Sequence, residues 1–337
     1  MTSPLILSRR HLGLLGLPAL LGGPAKAQAV AEDPLPSWKP GPSRQAILAF
    51  LADVTTPGAP GYVAPPERIA VFDNDGTLWC EIPTVQLMFA LARVKALAPR
   101  HPAWATTQPF KAALEGDEAA LAASGAEGIS EFLLATHAGN TPEEFNAIVT
   151  EWLAQARHPR FHRPYTTTVY QPMLELLRLT QAHGFRNYIV SGGGVEFIRA
   201  WSERVYGIPP EQVIGSTIRT EFRFPHGGKP ELHRVPSLDF IDDGPGKPVA
   251  IGKFIGRRPI AAFGNSDGDL EMLQYVTSSP GRRFGLIVHH DDAAREVAYD
   301  RQSQFGKLDR ALDQAAPNHW TVVSMKNEWN TVFPPLG

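Results

Sequence analysis

Residues 68–77 read RIAVFDNDGT, and they decide how the rest of the chain is read. Arg68 to Phe72 is a short apolar run rich in branched residues, which predicts a buried strand. It stops abruptly at Asp73-Asn74-Asp75-Gly76-Thr77, which predicts a loop at the strand's carboxyl end. Two carboxylates that close repel, and a cation between or beside them relieves the repulsion. An oxygen-rich site of this kind suits Mg2+. Gly76 lets the backbone turn tightly, and Thr77 offers a hydroxyl where the next helix would start. A calcium loop of the EF-hand type would need glutamate at its twelfth position, where this chain has Thr84.

On the carboxyl side of this stretch, from Cys80 to about Tyr165, helical spacing dominates: VQLMFALARVKAL, GISEFLLATHAG and TPEEFNAIVTEWLAQAR, the last opened by Thr141 as its cap. The pattern then alternates. A helix is predicted over Val169–His183, a strand over Phe185–Val190, and a turn at Ser191–Gly194 into a helix over Val195–Tyr206. Val213–Phe224 reads as extended, with a hairpin at Pro225-His226-Gly227-Gly228. A helix over Lys247–Ile255, a strand over Pro259–Phe263, a helix over Asp269–Tyr275 and a strand over Phe284–Val288 follow. Such alternation implies a parallel sheet covered on both faces. The expected fold is therefore α/β, a Rossmann-like doubly wound parallel sheet with an all-helical cap inserted after the first strand. Its core comprises residues 67–80 and 166–330, and its cap residues 81–165.

On the amino side, residues 30–66 read as a Pro-rich arm holding one short helix, Arg44–Val54. Residues 1–29 read as an export signal. Arg9-Arg10 precede the apolar stretch Leu12–Leu21, and two A-x-A cleavage sites follow between Ala25 and Ala29. The order Ser8-Arg9-Arg10-His11-Leu12 resembles a twin-arginine signal. The stretch is too short for a permanent membrane anchor, and a periplasmic or secreted protein is expected. Loss of Arg9, Arg10 and Lys26 with the signal takes the net charge from -2 to about -5. A mildly acidic chain is not built to bind nucleic acid through its phosphates. The single cysteine, Cys80, excludes an intrachain disulfide and a thiolate-rich metal site.

In open α/β sheets, sites form where loops leave the carboxyl ends of strands. Beyond the Asp73 loop, two more such loops are polar. Ser191-Gly192-Gly193-Gly194 offers a hydroxyl and backbone N–H groups as a phosphate cradle. A dinucleotide fingerprint would want glycine three positions after Gly194, where Phe197 stands. Gly264-Asn265-Ser266-Asp267-Gly268 matches the G-x-S-x-G elbow of serine hydrolases, with Ser266 as nucleophile, Asp300 and His319 as partners and His226-Gly227-Gly228 as an oxyanion-hole echo. That reading leaves little chain after Ser266 for the remaining strands and leaves Asp73, Asp75 and Ser191 unused.

FDNDGT, then VSGGG, then a lysine ahead of AFGNSDGD resembles, in that order, the haloacid dehalogenase-like superfamily of phosphohydrolases, above all its phosphoserine-phosphatase-like branch. The resemblance runs from about Arg68 to at least Val288. It implies that Asp73 attacks phosphorus to form an aspartyl-phosphate and that Asp75 serves as general acid and base. It implies Mg2+ at Asp73, Asp75, Asn265 and Asp269, and phosphoryl oxygens bound by Ser191 and a lysine. Gly192 and Thr77 are expected beside the substrate, and Trp79 is the aromatic expected to touch it. The lysine is Lys247, in a Gly-Lys context like that of the branch, or Lys253. The family's last motif usually opens with aspartate; Asn265 implies weaker metal binding, with Asp267 as the residue that could compensate. Asp269 is implied to be the lysine's partner. The glutamate with which phosphoserine phosphatases read the substrate amine has no counterpart in register, since Glu81 falls one residue early. His289-His290-Asp291-Asp292 follow a strand and stand either at the rim of the site or at a solvated strand end. The cap aromatics Trp104, Phe132, Phe145 and Trp152 read as core.

The expectation is thus an exported, Mg2+-dependent phosphatase of small phosphorylated metabolites. Its alternatives are a serine hydrolase built on Ser266 and a non-catalytic phosphate-ester-binding protein.

Overall fold

The computed structural model describes residues 33–225 and 227–336; the expected export signal and His226 lie outside them. Seven strands form one sheet: β1 Ile69–Phe72, β2 Arg186–Gly194, β3 Val213–Arg223, β4 Glu231–Phe240, β5 Ala261–Gly264, β6 Phe284–His289 and β7 Thr321–Ser324. Their order is β4-β3-β2-β1-β5-β6-β7, parallel throughout except for the antiparallel β3–β4 pair.

All four residues of β1 are buried because both faces of the sheet are covered. Ala70 and Phe72 face one core cluster, with Ile189, Phe263, Leu286 and Val288. Val71 faces the opposite cluster, with Val190, Ala262 and Ile287. The period of two along each strand thus feeds two cores at once, which a continuous apolar run such as IAVF requires. The chain leaves β1 toward β2 on one side, and β5 returns to the other. The crevice between those two directions, at the strands' carboxyl ends, is the switch point where open α/β sheets bind ligands.

Between β1 and β2 the described residues contain helices and no strand. The helices Phe110–Glu115 and Gly125–His137 pack with part of Val85–Leu97 around a small core of Ala90, Val94, Phe110, Ala113 and Phe132. Val85 and Phe89, and Phe145, Val149 and Leu153 of the helix Pro142–Gln155, instead belong to the main core. The insertion is therefore rooted in the core at both of its ends.

The segment expected as an arm also joins the core. The helix Pro42–Thr55 buries Ile47, Phe50, Leu51 and Val54 there. Trp38 meets Trp329 edge-on at 5.9 Å, tying the start of the described chain to its end. The helix expected over Val195–Tyr206 is broken into Val195–Arg199 and Ser202–Tyr206, and Lys247–Ile255 begins as an α-helix and widens into a π turn after Ala250. Strand β4 is the second strand of the hairpin expected after Val213–Phe224, its span not read from the sequence, and β7 carries no strong alternation and is not expected. Among the described residues, no helix is long and apolar enough to cross a membrane.

Candidate active site

The carboxyl ends of β1, β2 and β5 bring the three polar loops together, and a lysine joins them from below. Lys247, 1% exposed, donates from Nζ to Asp73 Oδ1 at 2.7 Å, to Asp269 Oδ1 at 2.6 Å and to the carbonyl of Val190 at 3.0 Å. This decides between the two lysines. Lys253 lies on an exposed turn against the rings of Phe240 and Phe254. Burial opposes Lys247's charge, yet the Asp269 and Asp73 carboxylates outweigh it and hold the amine protonated.

Asp73 directs one oxygen at Lys247 and leaves the other without a hydrogen bond among the described residues. Burial, then the charges of Asp269 and Asp75, push its carboxyl well above the ordinary range, more than Lys247 pulls it down. Asp75, two residues on, accepts from the Trp79 indole N–H at 2.9 Å on Oδ1 and from the Ser191 hydroxyl at 3.5 Å on Oδ2. Burial raises its pKa as well, with the Trp79 bond chief among the contacts that restrain it.

Two expected substrate contacts are corrected by this geometry. Trp79 is fully buried, stacks on Trp201 at 4.3 Å and spends its N–H on Asp75, so it orients the carboxylate and cannot touch substrate. Thr77 is also fully buried and donates to Asn265 Oδ1 at 3.1 Å, fixing that amide. Gly192 lies exposed beside Ser191, its carbonyl accepting from Ser216 at 2.7 Å. The cradle itself is the bulged end of β2, where the register with β3 shifts between Ser191 and Gly194, and not the mouth of a long helix.

Asp269 is corrected as a metal ligand. Its Oδ1 takes Lys247, and its Oδ2 takes the backbone N–H groups of Asn265 and Ser266 and the Ser266 hydroxyl. With both oxygens committed, it ties the lysine to the last loop. Asp267 does not compensate for Asn265, because its carboxylate turns away to accept from the backbone of Asp309 and Ala311. The residue beside Asn265 is Glu81, whose Oε2 accepts from Asn265 Nδ2 at 3.2 Å and from the Tyr299 hydroxyl at 3.0 Å. Burial, and after it the charge of Asp75, push Glu81 up to about 8.

The sequence reading put the HHDD run at the rim of the site or at a solvated strand end, and His290 is at neither. His290, from the HHDD run, is buried and bonds through Nε2 to the Gly76 carbonyl at 2.7 Å, with Glu296 on its Nδ1 at 3.2 Å. A carbonyl can only accept, so Nε2 carries the proton and the first loop is braced from behind. His289 lies 3.5 Å from Asp300, Asp291 accepts from Ser324 and Lys326, and Asp292 pairs with Arg295. Gln86 and Asp242 were also unforeseen. Asp242 is fully buried beside the cradle, and burial foremost pushes it up to about 7, with Lys247 and the Ser191 backbone pulling the other way. Chain distance hid Tyr299, and Glu81, one residue out of register with the branch's glutamate, reads from the sequence as unused.

The serine-hydrolase arrangement is not assembled. Ser266 Oγ accepts from the Gly268 N–H and donates to Asp269, capping the turn that follows. Asp300 instead faces His289, and His319 is exposed. Asp73 is buried at the centre of the arrangement; Ser266 is not placed to act as a nucleophile.

What the geometry defines is a buried carboxylate held by a lysine, with a second carboxylate two residues on and a hydroxyl beside it. The model of one family, haloacid dehalogenase-like hydrolases, matches residues 70–274, and the chain belongs to that family. In fold it is similar to a functionally unknown protein from Anaerococcus prevotii DSM 20548, at 17% identity and a TM-score of 0.50 over 74% of this chain and 85% of that one. A protein of unknown function from Bordetella pertussis Tohama I gives 17% identity and 0.49 over 77% and 99%. A phosphoserine phosphohydrolase-like protein from Francisella tularensis gives 17% and 0.33 over 74% and 98%. Among curated proteins, none matches the sequence. Likeness at these identities concerns fold alone, so function rests on the site.

Proposed function

We propose that this hydrolase is an exported phosphatase that removes phosphate from small monoesters and depends on Mg2+. One observation carries the reading: Lys247 is bonded to both Asp73 and Asp269, leaving one Asp73 oxygen open next to the Asp75–Ser191 pair.

In this reading the open oxygen of Asp73 attacks phosphorus, the ester P–O bond breaks, and Asp75 gives its proton to the departing alkoxide. Asp75 then takes a proton from water, whose oxygen attacks phosphorus. The aspartyl–phosphorus bond breaks, and orthophosphate and a free Asp73 carboxylate result. The raised pKa of Asp75 favours a protonated starting state, and the Trp79 N–H keeps its carboxyl aimed. Ser191 and Lys247 bind and neutralise the phosphoryl oxygens.

The donor set fits a hard divalent cation. Burial above all displaces Asp73, Asp75 and Glu81 upward, and for Asp73 and Glu81 neighbouring carboxylates add to it; a cation among them would offset that cost. No group of three or more His, Cys, Asp or Glu side chains converges as a ready metal site among the described residues. The ion would therefore be held by the Asp73 carboxylate, the Asp75 carbonyl and the Asn265 amide oxygen, a mixed set of oxygen donors. When bound, it supplies positive charge that offsets the repulsion between phosphate and nucleophile. Glu81 holds the Asn265 amide through its Nδ2, and a bound cation would draw Glu81 toward its ionised form. Arg9-Arg10 and the apolar run after them support export.

Hydrolysis of p-nitrophenyl phosphate tests the reading, measured with Mg2+, with EDTA, and in Asp73→Asn and Ser266→Ala variants. Metal-dependent turnover abolished by Asp73→Asn and largely kept in Ser266→Ala is expected. Metal-independent turnover lost only in Ser266→Ala overturns it. Phosphate-ester binding without turnover would make the chain a binding protein.

A further inference from the structure

The insertion reaches into the phosphate cradle through one side chain. Gln86, in the first turn of the helix Val85–Leu97, is 9% exposed. Its Oε1 accepts from the Gly194 N–H at 2.8 Å. That bond fixes the amide's orientation, because a backbone N–H needs an acceptor and the nitrogen end offers only donors. Gln86 Nε2 is therefore the free end, and it is buried with no hydrogen-bond partner among the described residues.

Where it lies is set by Gly193. A Cβ built on Gly193 would collide with Gln86 Nε2 and sit 3.3 Å from Ser191 Oγ. The two groups flank the same point of the cradle. A buried amide nitrogen that finds no acceptor in the protein is unfavourable unless something else supplies one. A clamp on Gly194 needs only Oε1, so it leaves the nitrogen end unexplained.

We infer that Gln86 is a substrate-binding residue, whose Nε2 donates a hydrogen bond to an anionic oxygen of the bound phosphate. The inference rests on the phosphatase reading of the same cradle and goes beyond it. It makes the insertion a reader of the phosphoryl group itself, through a neutral donor beside Ser191. The residue combines two roles in one planar group: the oxygen end holds the end of β2, and the nitrogen end waits for the ligand.

Gln86→Glu separates the two ends. It keeps the shape and an acceptor for Gly194, and it turns the donor into an anionic oxygen facing phosphate. Binding of inorganic phosphate in the presence of Mg2+, followed by titration calorimetry, should weaken at least tenfold. KM for p-nitrophenyl phosphate should rise by a similar factor with kcat changed less. Thermal stability guards against a folding defect, and so does pH. Burial and the facing phosphate anion push the introduced carboxyl above the ordinary glutamate range, so lowering the pH from about 8 toward about 5 protonates it in part, restores a donor, and should narrow the gap to the wild type at the same pH. Wild-type-like phosphate affinity in Gln86→Glu, or a deficit that does not narrow on acidification, overturns the inference. If the wild type neither binds phosphate nor turns over its esters, the phosphatase reading itself fails, which is a different result.

Discussion

Replacing Lys247 with methionine removes one buried charge at nearly constant volume, and the structure says what that should cost. The amine is bonded to two carboxylates at 2.7 and 2.6 Å, and the side chains of Lys247, Asp73 and Asp269 are 2%, 9% and 0% exposed. Removing one partner of a buried pair typically costs about 3–5 kcal/mol, because the remaining charge is stranded. Here two charges are stranded and they also repel one another, which favours the upper half of that range at pH 8. A loss of that size lowers the melting temperature of a chain this long by roughly 6–8 °C. The deficit should depend on pH with a definite sign. In the variant the folded carboxylates have raised pKa values, so the folded state takes up protons more readily than the unfolded one as pH falls. Their protonation relieves the repulsion, and the deficit should shrink toward pH 5 and grow toward pH 8. Urea unfolding in EDTA, which keeps added cations from substituting for the amine, measures it across that range. Adding Asp269→Asn to Lys247→Met should recover part of the loss, since only one stranded charge is left. If Lys247→Met is as stable as the wild type, or its deficit is the same at pH 5 and pH 8 and unrelieved by Asp269→Asn, the reasoning is wrong.

Three further outcomes are expected. Gly76 has φ +77, and a Cβ there would collide with Asn265 Nδ2 and lie 2.7 Å from the Tyr299 hydroxyl; Gly76→Ala should lose roughly 2–4 kcal/mol, from the left-handed backbone and the clash together, by urea unfolding. His137 is fully enclosed, and burial above all depresses its pKa to about 3. Its unfolded pKa is near 6.5, so the stability it contributes is present above that value and lost as pH falls toward 3. The loss across that window should be roughly 4–5 kcal/mol, and His137→Leu should flatten the profile. Cys80 is buried, and burial raises its thiol pKa well above the usual range; Ellman's reagent should label it only on unfolding, with a rate that follows the unfolding equilibrium.

Much of the site could be read from spacing because its first tier sits at the ends of strands. Asp73, Asp75, Ser191 and Asn265 stand at or within two or three residues of the end of an apolar run, and Asp269 closes the same loop as Asn265, so local pattern places them on one edge of the sheet. The residues that did not announce themselves act across the sheet or from the insertion. Tyr299 comes from the last third of the chain and Gln86 from a helix whose pattern reads simply as apolar and periodic, while His290 reads only as a rim or strand-end residue and not as a brace of the first loop. The roles of Trp79 and Thr77 were misread for a related reason. Adjacency to the Asp73 loop implies closeness to substrate, but whether a side chain faces the cleft or the core depends on what packs behind it.

The sequence alone determined the α/β class, the parallel sheet and the identity of the two paired aspartates. Those features depend on period-two burial and on residues adjacent in the chain, which local pattern carries. Only the tertiary structure decided that Lys247 and not Lys253 is bonded to Asp73, that Asp269 belongs to that lysine, and that Glu81 and not Asp267 stands beside Asn265. Each of these depends on which buried charge finds which partner, and partners are chosen by three-dimensional proximity in a medium where an unpaired charge is costly. The proline-rich stretch before β1 makes the same point in apolar terms. Its composition reads as a loop, yet Ile47, Phe50, Leu51 and Val54 are core, because a single short helix can bury one face once the rest of the fold provides a surface for it.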